Sequence, residues 1–129
     1  MKKIHYNKLI RDRVPSNMKK KGVQFRVTTL TTEKTKRELL RKVGEEASAL
    51  PVVRDRSELI SELGDVLDVI DEIVRVNKIS HSDLQSARGL AMKKKGGFRK
   101  RYYLHWSADN GYRTNERIGK SRKAGLEKK

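Results

Sequence analysis

Glu58, Glu62, Asp65, Asp68 and Glu72 follow one another at spacings of four, three, three and four. On a helix that rhythm gathers all five carboxylates on one face. Like charges so placed destabilise an isolated helix by roughly 0.2–0.5 kcal/mol per pair, and no Lys or Arg interrupts residues 57–74 to offset them. Something cationic must lie opposite. One reading is a solvated face paired with basic segments elsewhere in the chain; the other is a hard metal ion. Mg²⁺, or Mn²⁺ in its place, takes oxygen ligands in octahedral geometry and commonly binds carboxylates while water and substrate phosphates fill the other positions. Glu62 and Asp65, at i and i+3, project two carboxylates about one turn apart, and Glu45 and Glu46 could meet them from a neighbouring helix.

Other chemistries find little support. The chain has no cysteine, and His5, His81 and His105 lie far apart without ligand spacing. Surface or hydrogen-bonding roles suit those histidines better than metal binding. The serines and threonines show no nucleophile-elbow context, and no glycine-rich phosphate loop precedes a helix.

The 129 residues carry 32 Lys and Arg against 16 Asp and Glu, a net charge of +16. So basic a chain first suggests nucleic acid. Its charge is unevenly spread, however: residues 1–26 hold nine basic groups and one acid, and residues 88–129 fourteen basic groups and three acids. Between them, residues 45–72 hold nine acids against Arg54 and Arg56. A protein that merely coats nucleic acid gains nothing from concentrating its carboxylates in this way. The length and composition fit one domain. With no run of 18 apolar residues and no apolar stretch behind the first lysines, the expectation is a soluble, cytoplasmic protein with no membrane partner.

The elements that would position the carboxylates are helical. Residues 1–31 read as an irregular arm with a turn at Pro15-Ser16-Asn17, a helical turn over 18–21 stopped by Gly22, and an extended, β-branched segment over 23–29. A first helix is expected from Thr32 or Glu33 to about Leu50, with Leu39, Leu40, Val43, Ala47 and Leu50 at helical spacing and Pro51 closing it. Asp55 or Ser57 caps a second helix reaching Asn77, with Glu58 in the capping-box position. Its wide stripe of Leu59, Ile60, Leu63, Val66, Leu67, Ile70, Ile73 and Val74 must face a core or a partner subunit. A third helix starts after Ser80 and stops at Gly96-Gly97. The short connection over 51–56 makes the first two helices antiparallel neighbours, which brings Glu45 and Glu46 towards Glu62 and Asp65. The fold class is all-α. After Phe98, residues 101–106 suggest a short strand or extended segment, and residues 107–129 a mobile basic tail.

Lys42-Val43-Gly44-Glu45-Glu46-Ala47 followed by Glu58-Leu59-Ile60-Ser61-Glu62-Leu63-Gly64-Asp65-Val66-Leu67-Asp68-Val69-Ile70-Asp71 resembles the all-α nucleotide pyrophosphohydrolase superfamily, the MazG-like and phosphoribosyl-ATP pyrophosphohydrolase-like proteins. Tyr6-Asn7-Lys8-Leu9-Ile10-Arg11-Asp12-Arg13-Val14-Pro15 is similar to the opening of small stand-alone members, and Lys95-Gly96-Gly97-Phe98 to their closing segment. The likeness covers residues 4–106, a domain of 1–106 ahead of the tail. It implies an antiparallel helical bundle completed by oligomerisation, with short extended terminal segments. It also implies Mg²⁺-dependent hydrolysis between the α and β phosphates of a nucleoside triphosphate or related nucleotide, giving a monophosphate and pyrophosphate. Phosphoribosyl-ATP is one candidate substrate. By the family pattern Glu46, Glu62 and Asp65 hold the metal and Glu45 orients water or metal, which makes Glu45 and Glu46 the catalytic pair. The pattern places a third glutamate where this chain has Ala49. Asp68 could reach inward as the missing ligand, water could take its place, or the site could be impaired.

A triphosphate needs cations beside its metal. Lys42, Lys93, Lys95, Arg99 and Arg101 are candidates, joined by Asn7 and Arg11 if the N-terminal arm folds over the cleft; plain surface charge is the alternative for each. Tyr102, Tyr103 and Trp106 could stack on bases or dock the C-terminal segment on the core. The expected partners are a nucleotide substrate and a second copy in a homodimer or larger homo-oligomer, with nucleic acid reached through the basic tail. The competing reading is a catalytically impaired member of the fold that binds nucleic acid. A third is a purely structural oligomer.

Overall fold

The structure, a computed structural model, describes residues 1–109. It is helical, in the order α1 (Val14–Lys20), α2 (Thr32–Ala47), a 3-10 turn (Leu50–Val52), α3 (Arg56–Val76) and α4 (His81–Lys95), with no strand among the described residues. The all-α expectation holds at that level. The chain divides into two units, Met1–Ala91 and Met92–Lys129. Among the described residues no helix is long and apolar enough to cross a membrane. Most of the expected basic tail, residues 110–129, lies outside the described residues.

Local chemistry sets the helix ends. Pro15 does not make a turn but sits in the first turn of α1, where its missing N–H would have found no partner anyway. Gly22, at φ +72°, closes α1, with its N–H on the Lys19 carbonyl at 3.0 Å and the Val23 N–H on that of Met18 at 3.1 Å. Thr31 caps α2 by accepting from the Lys34 N–H at 3.2 Å. That helix ends at Ala47, short of the expected Leu50: Pro51 has no N–H to donate to the Ala47 carbonyl, and the chain tightens through Ser48 and Ala49 into the 3-10 turn. The Ser48 hydroxyl closes it by donating to the Glu45 carbonyl at 2.6 Å.

Asp55 caps α3, accepting from the Glu58 N–H at 2.8 Å. The reciprocal arm of the box is displaced by one residue: Glu58 accepts from the Arg54 N–H at 2.7 Å rather than from that of Asp55. The Arg54 guanidinium adds a second bond at 2.9 Å. At its far end α3 closes on Lys78 in left-handed backbone, φ +55°. Ser80 caps α4 through the Asp83 N–H at 2.9 Å, and Gly96, φ +81°, ends it. Residues 23–29 and 101–106 make no ladder, since neither has a second strand to pair with.

The short connection folds α3 back on α2, and these two helices form the main contact of the first unit. Leu39 is the one buried hydrophobic residue among those described, at 6% exposure. Val43, Ala47, Val66, Val69, Ile73 and Val74 are half-buried. Leu59, Ile60, Leu63, Leu67 and Ile70, most of the apolar stripe on α3, are exposed.

Candidate metal centre

Glu46, in the last turn of α2, and Glu62 and Asp65, one turn apart on α3, bring one carboxylate oxygen each to within 4.8 Å of one another. All three are half-buried. The geometry follows from the elements: i, i+3 spacing stacks Glu62 and Asp65 on one face of α3, and the return of α3 along α2 supplies Glu46. Among the described residues Glu62 has neither a hydrogen bond nor an ion pair, whereas Glu46 has Lys42 at 3.7 Å and Asp65 has Arg11 at 3.0 Å. Three gathered carboxylates with two flanking cations leave the centre anionic. Oxygen-only donors at this spacing suit a hard divalent ion, whose adjacent ligand oxygens sit about 3 Å apart and opposite ones about 4 Å apart at Mg–O distances near 2.1 Å. Three such oxygens supply three positions of an octahedral shell and leave the others to water or substrate, so the donor set is compatible with a hard divalent ion such as Mg²⁺.

The remaining predicted residues are divided by the structure. Glu45 is not one of the three gathered carboxylates. Its carboxylate accepts from Lys42 at 2.7 Å, with Lys8 at 4.0 Å. The Lys42 hydrogen bond, followed by the charges of Lys42 and Lys8, holds the Glu45 carboxyl below its ordinary range despite some desolvation. Asp68 also stands outside the three gathered carboxylates and pairs with Arg11 at 2.9 Å. That bond raises the Arg11 pKa against the opposing effect of desolvation, with the charges of Asp68 and Asp65 adding to it. Glu58 and Glu72, the ends of the acidic face, are tied to Arg54 and Arg75 and have lowered pKa values for that reason. Ala49 lies beyond the end of α2, at the start of the 3-10 turn.

Of the predicted phosphate-binding residues, Asn7 and Lys42 line a cleft of about 220 Å³ together with Tyr6, Lys8, Leu9, Glu38, Arg41 and Glu45. Asn7 adopts left-handed backbone, φ +48°, a conformation asparagine tolerates better than most residues. Arg11 sits at the carboxylates themselves. Lys93 and Lys95 lie in the last turn of α4 and Arg99 and Arg101 beyond it, all in the second unit. Tyr102, Tyr103 and Trp106 are exposed there, with Tyr103 edge-on to His105 at 5.0 Å between centroids. Sequence reasoning passed over Tyr6, Lys8, Glu38 and Arg41. The signal for the first two was their place in the Tyr6-Asn7-Lys8 run; Glu38 and Arg41 read only as surface residues of α2. Compared with family models, curated proteins and solved structures, the chain finds no match.

Proposed function

We propose that the chain is a Mg²⁺-dependent nucleotide pyrophosphohydrolase of the MazG-like type, cleaving between the α and β phosphates of a nucleoside triphosphate or related nucleotide. The observation that carries the reading is the convergence of Glu46, Glu62 and Asp65 from two helices, with Glu62 lacking any cation among the described residues. Bound there, Mg²⁺ would neutralise phosphate charge and lower the pKa of an attacking water. The chain's own residues do the rest. Glu46, Glu62 and Asp65 hold the ion. Glu45, kept ionised by Lys42, is an orienting acceptor rather than a strong base. Lys42 and Asn7, on the rim of the cleft beside Glu45, offer donors to the polyphosphate. A cleft of about 220 Å³ is smaller than the ~300–1,000 Å³ of pockets that enclose a whole small ligand. It takes part of a nucleotide and leaves the rest at the carboxylates.

The exposed stripe of α3 supports the second half of the reading, a homo-oligomer in which helices of another copy cover Leu59, Ile60, Leu63, Leu67 and Ile70. A chain with one buried hydrophobic residue among those described has little core of its own.

Pyrophosphate release from a panel of nucleotides with Mg²⁺ or Mn²⁺ tests the activity, comparing wild type with Asp65→Ala. Release that depends on metal and is lost in the variant is the expected result; no release from any nucleotide, or release unaffected by the substitution, sinks the proposal. The competing reading, nucleic-acid binding, draws on exposed Tyr102, Tyr103 and Trp106 among Arg99, Lys100 and Arg101. It predicts binding to RNA or DNA that weakens steeply with salt and no hydrolysis.

A further inference from the structure

We propose that Arg11 is a counterion displaced by the metal: it holds Asp65 until a divalent cation takes that carboxylate, then stays anchored on Asp68 and turns its free donors to the substrate phosphates. This rests on the metal-dependent reading above. A single guanidinium nitrogen, Nη2, lies 3.0 Å from Asp65 and 2.9 Å from Asp68. One of those partners belongs to the gathered carboxylates and the other does not, so Arg11 straddles the edge of the candidate centre. Its side chain is 60% exposed. Among the described residues its Nε and Nη1 donate no hydrogen bond, which leaves most of a five-donor fork unused.

Charge favours the exchange. A guanidinium and a divalent ion repel across one carboxylate, so the ion weakens the hold of Arg11 on Asp65. Asp68, a turn further along α3, gives Arg11 somewhere to remain. A planar guanidinium kept beside the metal with unpaired N–H groups suits bidentate binding of phosphate oxygens. Lys42 offers no equivalent switch. Its partners Glu45 and Glu46 lie on its own helix at i+3 and i+4, whereas Arg11 joins the N-terminal arm to α3 across 54 residues.

The account separates two affinities that a purely structural ion pair would move together. Arg11→Gln should bind Mn²⁺ roughly fivefold tighter by calorimetry, the ratio expected when one exposed competing ion pair is removed. At saturating metal it should raise the nucleotide KM about tenfold, as for loss of a charged hydrogen bond. Arg11→Lys should return Mn²⁺ affinity towards wild type. In the wild-type protein the Arg11 guanidinium NMR signal, assigned from its loss in Arg11→Lys, should shift on Mg²⁺ titration with the midpoint of metal binding. Unchanged or weaker Mn²⁺ binding by a folded Arg11→Gln, or an Arg11 signal indifferent to Mg²⁺ in a wild type that binds it, overturns the inference while leaving the hydrolase reading intact. A wild type that neither binds metal nor hydrolyses nucleotide removes both.

Discussion

On one side of α3, Glu62 and Asp65 are half-buried and gather with Glu46 of α2; on another, Leu63 and Leu67 stand open at 44% and 58% exposure. A self-sufficient small domain does the reverse, turning its apolar stripe inward and its carboxylates to water. Drawing carboxylates out of water costs free energy unless a cation answers them. Exposing apolar surface forgoes about 25 cal/mol for each Å² left in water. On the proposed reading each departure has its own origin: the inner face would hold a metal and the outer face another copy of the chain.

The comparison can be broken on either side. The largest effect is expected on the inner face, where Asp65→Ala should lower kcat/KM for nucleotide hydrolysis by roughly 100-fold or more, since several kcal/mol of transition-state charge stabilisation depend on the ion. Next comes the outer face. Leu63→Glu on a solvent-exposed helix surface should change stability by no more than about 0.5 kcal/mol. If a second copy covers the stripe, it should cost about 2 kcal/mol or more and shift the protein to monomer in sedimentation. An unchanged sedimentation coefficient would mean that the outer face stays bare.

Smaller effects calibrate the helix itself. Lys78→Gly relieves left-handed backbone at the end of α3, on neither face, and should stabilise by about 0.5–1 kcal/mol, a rise of a few degrees in Tm independent of metal. The smallest effect is that of acid on the paired carboxylates outside the gathered three. Glu45, Glu58 and Glu72 are each held below the ordinary 4.5 by a Lys or Arg partner, so their pairs contribute fully above that pH and are lost as pH falls through the lowered values. Because these pairs lie at the surface with their Arg or Lys partners open to water or on the same helix, the loss below about pH 4.5 should be slight and should shrink at high salt.

The helices and the gathering of Glu46, Glu62 and Asp65 were legible because they depend on short-range rules. Asp55 and Ser80 announce helix starts, and the spacing of Glu62 and Asp65, with a short return to Glu46, is enough to bring three oxygens together. The fate of Asp68 was not legible. Helical spacing puts it near Asp65, yet Arg11, more than fifty residues away in sequence, decides what it binds. Pro15 was misjudged for a related reason, since proline is as much at home in a first helical turn as in a reverse turn. For Leu63 and Leu67 the sequence left two outcomes, a core or a partner subunit, with the long stripe on a short chain favouring the partner; their exposure within the chain is what the structure adds.

The most direct test of the central claim is a Mn²⁺ titration followed by loss of the free-ion EPR signal, run on the wild type and on Glu62→Gln, the one of the three gathered carboxylates with no cation paired to it among the described residues. The account predicts saturable binding to the wild type that Mg²⁺ displaces and that Glu62→Gln loses. No binding by the wild type, or equal binding by the variant, would contradict it.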